Sequence, residues 1–190
     1  LMEKEQNKNE FIQWTKALIF AFTFAFFIRF FLFVPIIVDG ESMELTLHNE
    51  ERMIVNKLDY KFNEPQRYDI IVFHANEDDD YIKRVIGLPG EHISYKDDQL
   101  YVNGEPQAEP YLDPLKKELK KTNFTLNLTE DFTLEQYTGE TKIPEGFVFV
   151  IGDNRQKSKD SRTIGLIPIS EIVGKTNTVF WPLNDIRIVK

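Results

Sequence analysis

The chain has 190 residues, 23 Lys+Arg against 31 Asp+Glu for a net charge of −8, and is 42% hydrophobic and 13% aromatic, a composition of folded rather than disordered proteins. The acidic balance argues against a nucleic-acid binder with a basic footprint. The absence of cysteine excludes a disulfide scaffold, an iron–sulfur cluster, a thiol nucleophile and a thiolate zinc site.

Nine of the 16 Phe fall between Phe11 and Phe33. From Ala17 to Val34 the run is apolar apart from Thr23 and Arg29, and Phe20, Phe22, Phe24, Phe26 and Phe27 surround a helix on all sides. At about 1.5 Å per residue its 18 residues reach roughly 27 Å, close to the ~30 Å of a hydrocarbon core. The expectation is one transmembrane helix over 17–34, with Trp14 at one interface and Arg29 snorkelling near the other. No small-x-small site follows it, since the exit reads Phe33-Val34-Pro35-Ile36-Ile37-Val38, so a retained anchor is favoured over a cleaved signal peptide. Lys4, Lys8 and Lys16 precede the span and Arg52 and Lys57 follow it, a small imbalance; a short charged tail inside and a large domain outside is the usual arrangement, so 1–16 are expected in the cytoplasm and 35–190 outside the cell membrane.

Beyond the anchor, short β-branched runs predict strands at 53–55, 69–73, 81–86, 99–102, 147–151 and 178–180. Asn103-Gly104, Pro89-Gly90, Pro144, Gly152 and Pro182 punctuate them. The fold class is mostly β. Residues 106–142 turn polar and read as an excursion from the β core, with 116–121 its one helix-like stretch. Asn123 and Asn127 each begin an Asn-x-Thr triplet, a pattern that matters only in a glycosylating pathway.

His48, His74 and His92 are too scattered for a metal site or a Ser-His-Asp catalyst, and Asp78-Asp79-Asp80 reads as a solvated turn. Three segments carry more information. They are Gly40 to Leu47 around Ser42, Tyr81 to Glu91 around Lys83, and Gly152-Asp153-Asn154-Arg155 followed by Ser158, Asp160, Ser161 and Arg162. Together and in this order they resemble the membrane-anchored bacterial type I signal peptidases, which cut signal peptides from exported preproteins with a Ser/Lys dyad.

The resemblance implies Ser42 as nucleophile and Lys83 as general base, with no cofactor. A lysine serves as a base only when neutral, and lowering its pKa from ~10.4 to roughly 8 requires about 3 kcal/mol, which burial must supply. Strand alternation puts Tyr81, Lys83 and Val85 on one face and Ile82, Arg84 and Ile86 on the other without saying which is inward. Three supporting roles are also implied: Ser158 hydrogen-bonding the lysine, and Asp160 paired with Arg162 to hold the loop. Substrate pockets map to Ile36, Val38, Met43, Leu47, Tyr81 and Ile82. The implied partners are preprotein signal peptides, membrane lipid and the protein export machinery. Gly40 supplies no side-chain donor to an oxyanion, which leaves that task to backbone N–H groups, chiefly that of Ser42. Two positions depart from the family pattern, Leu45 where proline is usual and Tyr68 where glycine is usual. Two other readings remain, a cytosolic Ser/Lys self-cleaving protease and a catalytically silent, membrane-tethered binding domain.

Overall fold

The computed structural model describes residues 2–121 and 127–189, and it divides at 34/35 into two compact units. Asn123 lies outside the described residues.

The first unit is a helix, Met2–Phe31. Its described side chains, 11–26, are exposed, among them Phe11, Trp14, Phe20, Phe22, Phe24 and Phe26. Among the described residues no helix is long and apolar enough to cross a membrane. The expected span also loses its far end, because the helix stops at Phe31 and Phe33 begins a strand. Pro35 explains the stop: it cannot donate into a helical ladder, and it drives the preceding Val34 to an extended conformation.

Among the described residues twelve strands follow: β1 (Phe33–Ile37), β2 (Arg52–Asn56), β3 (Ile70–His74), β4 (Asp80–Gly87), β5 (Ile93–Lys96), β6 (Gln99–Val102), β7 (Glu105–Gln107), β8 (Phe132–Thr133), β9 (Phe147–Ile151), β10 (Ile167–Pro168), β11 (Ile172–Trp181) and β12 (Arg187–Ile188). The larger sheet has the order β1-β2-β11-β3-β4-β9-β10, with β12 on β11, and the smaller has β7-β6-β5-β8. Every predicted strand is present; β1 is an addition where the span was expected to end, and β5, β7, β8, β10 and β12 are additions that are short or carry little β-branched signal. The β6–β7 hairpin turns at Asn103 and Gly104, both with positive φ, as a two-residue type I′ turn demands. The β5–β6 hairpin achieves the same turn with Asp97 and Asp98, a pair that announces itself less clearly in a sequence.

The 106–142 segment is more than a polar excursion. It contains β8 and the helix Asp113–Lys121, and it buries Leu112, Leu128, Phe132 and Leu134. These four face inward, and Phe132 and Leu134 join Tyr95, Leu100 and Phe149 in one core cluster, so low overall hydrophobicity hid a packed element. Thr129, the last residue of the second Asn-x-Thr triplet, is itself buried and accepts a hydrogen bond from Arg155.

Two further clusters bracket the central strands. Val38, Met43, Leu47, Met53, Ile70, Val179 and Val189 form one, with Ile36 and Ile82 against it. Ile71, Phe73, Val85, Val148, Val150 and Ile167 form the other, and Tyr81 packs on it. Strand β4 is therefore buried on both faces beyond its first residues.

Candidate active site

The turn that carries Ser42 is anchored on both sides. Ahead of it, Val38 and the 48–51 segment exchange backbone hydrogen bonds at 2.8 Å, and Gly40 turns the chain at φ +96°, a conformation that costs a side-chain-bearing residue energy. Behind it, the amides of Thr46 and Leu47 donate to the Met43 carbonyl at 2.8 and 2.7 Å. Met43 and Leu47 insert into the core beneath, so Ser42 stands at the lip of a fixed turn.

Lys83 reaches this lip from β4. Its Nζ lies 2.8 Å from Ser42 Oγ and 2.9 Å from the Ile82 carbonyl, 5.0 Å from the centre of the Tyr81 ring, and the residue is 4% exposed. Burial penalises its ammonium form and lowers its pKa to about 8, against the opposing pull of Asp160 and Asp153. A hydroxyl paired with an amine that gives up its proton near pH 8 is the arrangement needed to make a serine nucleophilic.

One residue along, Arg84 points the other way and is fully buried. Its guanidinium grips Asp153 at 2.9 and 2.7 Å and donates to the Tyr68 carbonyl at 2.9 Å. Asp153 also accepts from Thr46 Oγ1, joining β4, the serine turn and the 152–162 loop at one point. Sequence reading left Arg84 and Asp153 without roles, because partners so far apart in the chain leave no local pattern.

The third segment behaves as expected in one respect and not in another. Asp160, wholly buried, takes two bonds of 2.8 Å from Arg162 and one of 3.0 Å from the Gly152 amide. Burial works against that carboxylate, and Arg162 outweighs it, keeping the pKa below the ordinary range. The expected bond from Ser158 to Lys83 is not made: the lysine is held by Ser42 and the Ile82 carbonyl, and the buried Ser158 hydroxyl, short of ideal hydrogen-bonding geometry, acts on the Asp160 carboxylate and helps keep it ionised. The Ser158 side chain packs instead on Gly152, where an added Cβ would collide with it and with the Ser42 carbonyl.

A cleft of about 300 Å³ opens over Ser42 and Lys83, walled by 37–43, 80–83, Lys157 and Lys159. Of the six predicted substrate residues, Val38, Met43, Tyr81 and Ile82 line it. Leu47 is sealed in the core and Ile36 packs on that core, while Ile37, exposed and unpredicted, faces the cleft. The pairing of β9 with β4 stops at Arg84, so among the described residues Asp80–Lys83 pair with β3 alone and present a free edge. A larger cavity of about 710 Å³ includes Ser158 and Arg162 but neither Ser42 nor Lys83.

Both departures from the family pattern have structural readings. Tyr68 has φ +73°, the conformation for which glycine is the easy choice, and it is held there by its hydroxyl on the Ala108 carbonyl at 2.8 Å and its ring 5.7 Å from that of Tyr111. In the serine turn the bonding amides belong to Glu44, Thr46 and Leu47, so position 45 has no evident need of an N–H that proline would remove.

Comparison with known proteins identifies the family. The family described as "Signal peptidase, peptidase S26" matches residues 11–181. A signal peptidase I of Bacillus caldolyticus is 52% identical over 158 residues, 83% of this chain and 85% of that one. Signal peptidase IB of Staphylococcus aureus is 41% identical over 180 residues, covering 95% and 94%. The crystal structure of a signal peptidase I from Enterococcus faecalis, 43% identical, superposes with a TM-score of 0.54 over 60% of this chain and 97% of its own. With the match extending over nearly the whole length, the chain belongs to the signal peptidase family of serine endopeptidases.

Proposed function

We propose that this chain removes N-terminal signal peptides from exported preproteins, with Ser42 as nucleophile and Lys83 as general base. The observation that carries the dyad is the 2.8 Å contact between Nζ and Oγ, made by an amine whose pKa burial has brought to about 8. As a neutral amine, Lys83 accepts the Oγ proton while Oγ bonds to the carbonyl carbon before the scissile bond. The oxygen that becomes negative is stabilised by backbone N–H groups, chiefly that of Ser42. The ammonium then returns its proton to the leaving amine, and the C–N bond breaks to give an acyl-enzyme. Water, deprotonated by the same lysine, releases the signal peptide and restores Ser42. The Asp160–Arg162 pair holds the loop that backs Ser42.

The peptide enters as an added strand along the free edge Asp80–Lys83, with Ile37 and Val38 on its other side. Val38, Met43, Tyr81 and Ile82 crowd that track and leave room for small side chains. Residues 17–31, the apolar part of the helix Met2–Phe31, serve as a membrane anchor, with 35–190 on the extracytoplasmic side and the export machinery delivering substrate. The row of exposed aromatic side chains from Phe11 to Phe26 supports this reading. An alkaline wash is expected to leave the chain in the membrane, and deletion of 17–31 to release it.

The decisive experiment incubates purified protein with a radiolabelled preprotein. Mature-length product from wild type and none from Ser42→Ala is the expected result. Processing by Ser42→Ala would overturn the assignment.

A further inference from the structure

One residue holds both carbonyls that flank the nucleophile. Asn154 donates its side-chain Nδ2 to the Glu41 carbonyl at 3.0 Å, and its backbone N–H donates to the Ser42 carbonyl, also at 3.0 Å. The Glu41 carbonyl and the Ser42 N–H belong to a single peptide unit. In a trans unit these two groups are coplanar and point in opposite directions. Pinning the oxygen therefore sets the direction of the N–H. A hydrogen bond to the carbonyl also polarises the unit and strengthens the donor at its other end.

The surroundings leave that donor available. Among the described residues no hydrogen bond uses the Ser42 amide. Gly40, two residues earlier, brings no side-chain donor, and its φ of +96° puts a flexible residue next to the unit that must be aimed. The other links between the two loops do not hold this peptide plane: Thr46 reaches Asp153 from beyond the nucleophile, and Lys157 Nζ to Glu41 Oε2 at 2.8 Å is exposed and restrains a side chain.

We propose that Asn154 is a positioning residue for the oxyanion site, acting through the Glu41–Ser42 peptide unit. The proposal rests on the reading of Ser42 as nucleophile. Asn154→Asp keeps the shape and the backbone N–H while turning an acceptor toward the Glu41 carbonyl, and Asn154→Ala removes the side-chain bond alone. With the purified full chain and a signal-peptide substrate, both variants are expected to lose roughly 10–100-fold in kcat, less than outright removal of an oxyanion donor, with KM within about twofold. The midpoint of the alkaline rise in rate should stay near 8 in Asn154→Ala, which leaves the charges around Lys83 unchanged, and should move up in Asn154→Asp, whose new carboxylate adds to the pull of Asp153 and Asp160. Affinity for a substrate-like peptide aldehyde, whose serine adduct carries the oxyanion, should fall in parallel with kcat, while Tm stays within a few degrees. Wild-type kcat in both variants, a loss confined to KM, or undiminished aldehyde binding would overturn the proposal. Ser42→Ala assayed alongside separates the two readings: if it still processes substrate, the nucleophile assignment fails, whereas an inactive Ser42→Ala beside fully active Asn154 variants removes the role of Asn154 alone.

Discussion

Lys83 and Arg84 are neighbours on β4, both cationic by type and both buried, and they meet opposite fates on the two faces of one strand. Arg84 faces Asp153, which answers its charge with two bonds, and the pair fastens strand, serine turn and loop together. Lys83 faces a hydroxyl and a carbonyl, with the carboxylates of Asp153 and Asp160 acting on it only from a distance. Burial with a carboxylate partner preserves a charge, and burial without one makes the proton easier to lose. The base is thus made by withholding a carboxylate from one face while supplying it on the other.

Breaking the Lys83 side should give the largest effect. Lys83→Met is expected to lower preprotein cleavage by roughly 10⁴-fold or more, as removal of a proton-transfer partner does in other serine hydrolases. Stability should move the other way. The folded-state pKa of about 8 lies below the ordinary lysine value, so the folded state binds fewer protons than the unfolded one between about 8 and 10.5, and wild-type stability rises with pH across that window. At pH 7 the buried ammonium costs about 3 kcal/mol; with ~1 kcal/mol lost for each hydrogen bond removed, the variant should be more stable by about 1–2 kcal/mol in denaturant titrations. Equal stability across pH 7–10 in wild type would refute the unpartnered lysine. The wild-type cleavage rate, for the same reason, should climb with pH around a midpoint near 8.

On the Arg84 side, Asp153→Asn leaves a guanidinium fully buried and uncompensated, and a loss of about 3–5 kcal/mol is expected by thermal or chemical unfolding. A smaller effect, about 2–3 kcal/mol, is expected for Asp160→Asn, because Arg162 is partly exposed and water can take over some of the pairing. This variant also sharpens the contrast: Asp160 pulls the Lys83 pKa upward, so its neutralisation should move the midpoint of the rate profile below 8. The smallest change belongs to the exposed Glu41–Lys157 pair, where Glu41→Gln should leave Tm indistinguishable from wild type.

The chain's local chemistry alone determined a good deal. Consecutive apolar residues marked the N-terminal helix, β-branched runs marked the central strands, Asn103-Gly104 marked a hairpin, and two short segments marked Ser42 and Lys83, which meet in the cleft. These features are written in neighbouring residues, since helix propensity, strand alternation and turn conformation act within a few positions. Tyr68 is a mixed case: the departure from glycine was visible, but the rings and carbonyl that hold its left-handed backbone come from 108–111. Only the tertiary structure decided which face of β4 received a carboxylate. The period of a strand names two faces and says nothing of what each will meet. Lys83 finds Ser42 across 41 positions and Arg84 finds Asp153 across 69, while Ser158, expected at the lysine, packs on Gly152 instead. A lysine's pKa depends on water excluded and charges placed by distant segments, quantities that exist only once those segments are packed together.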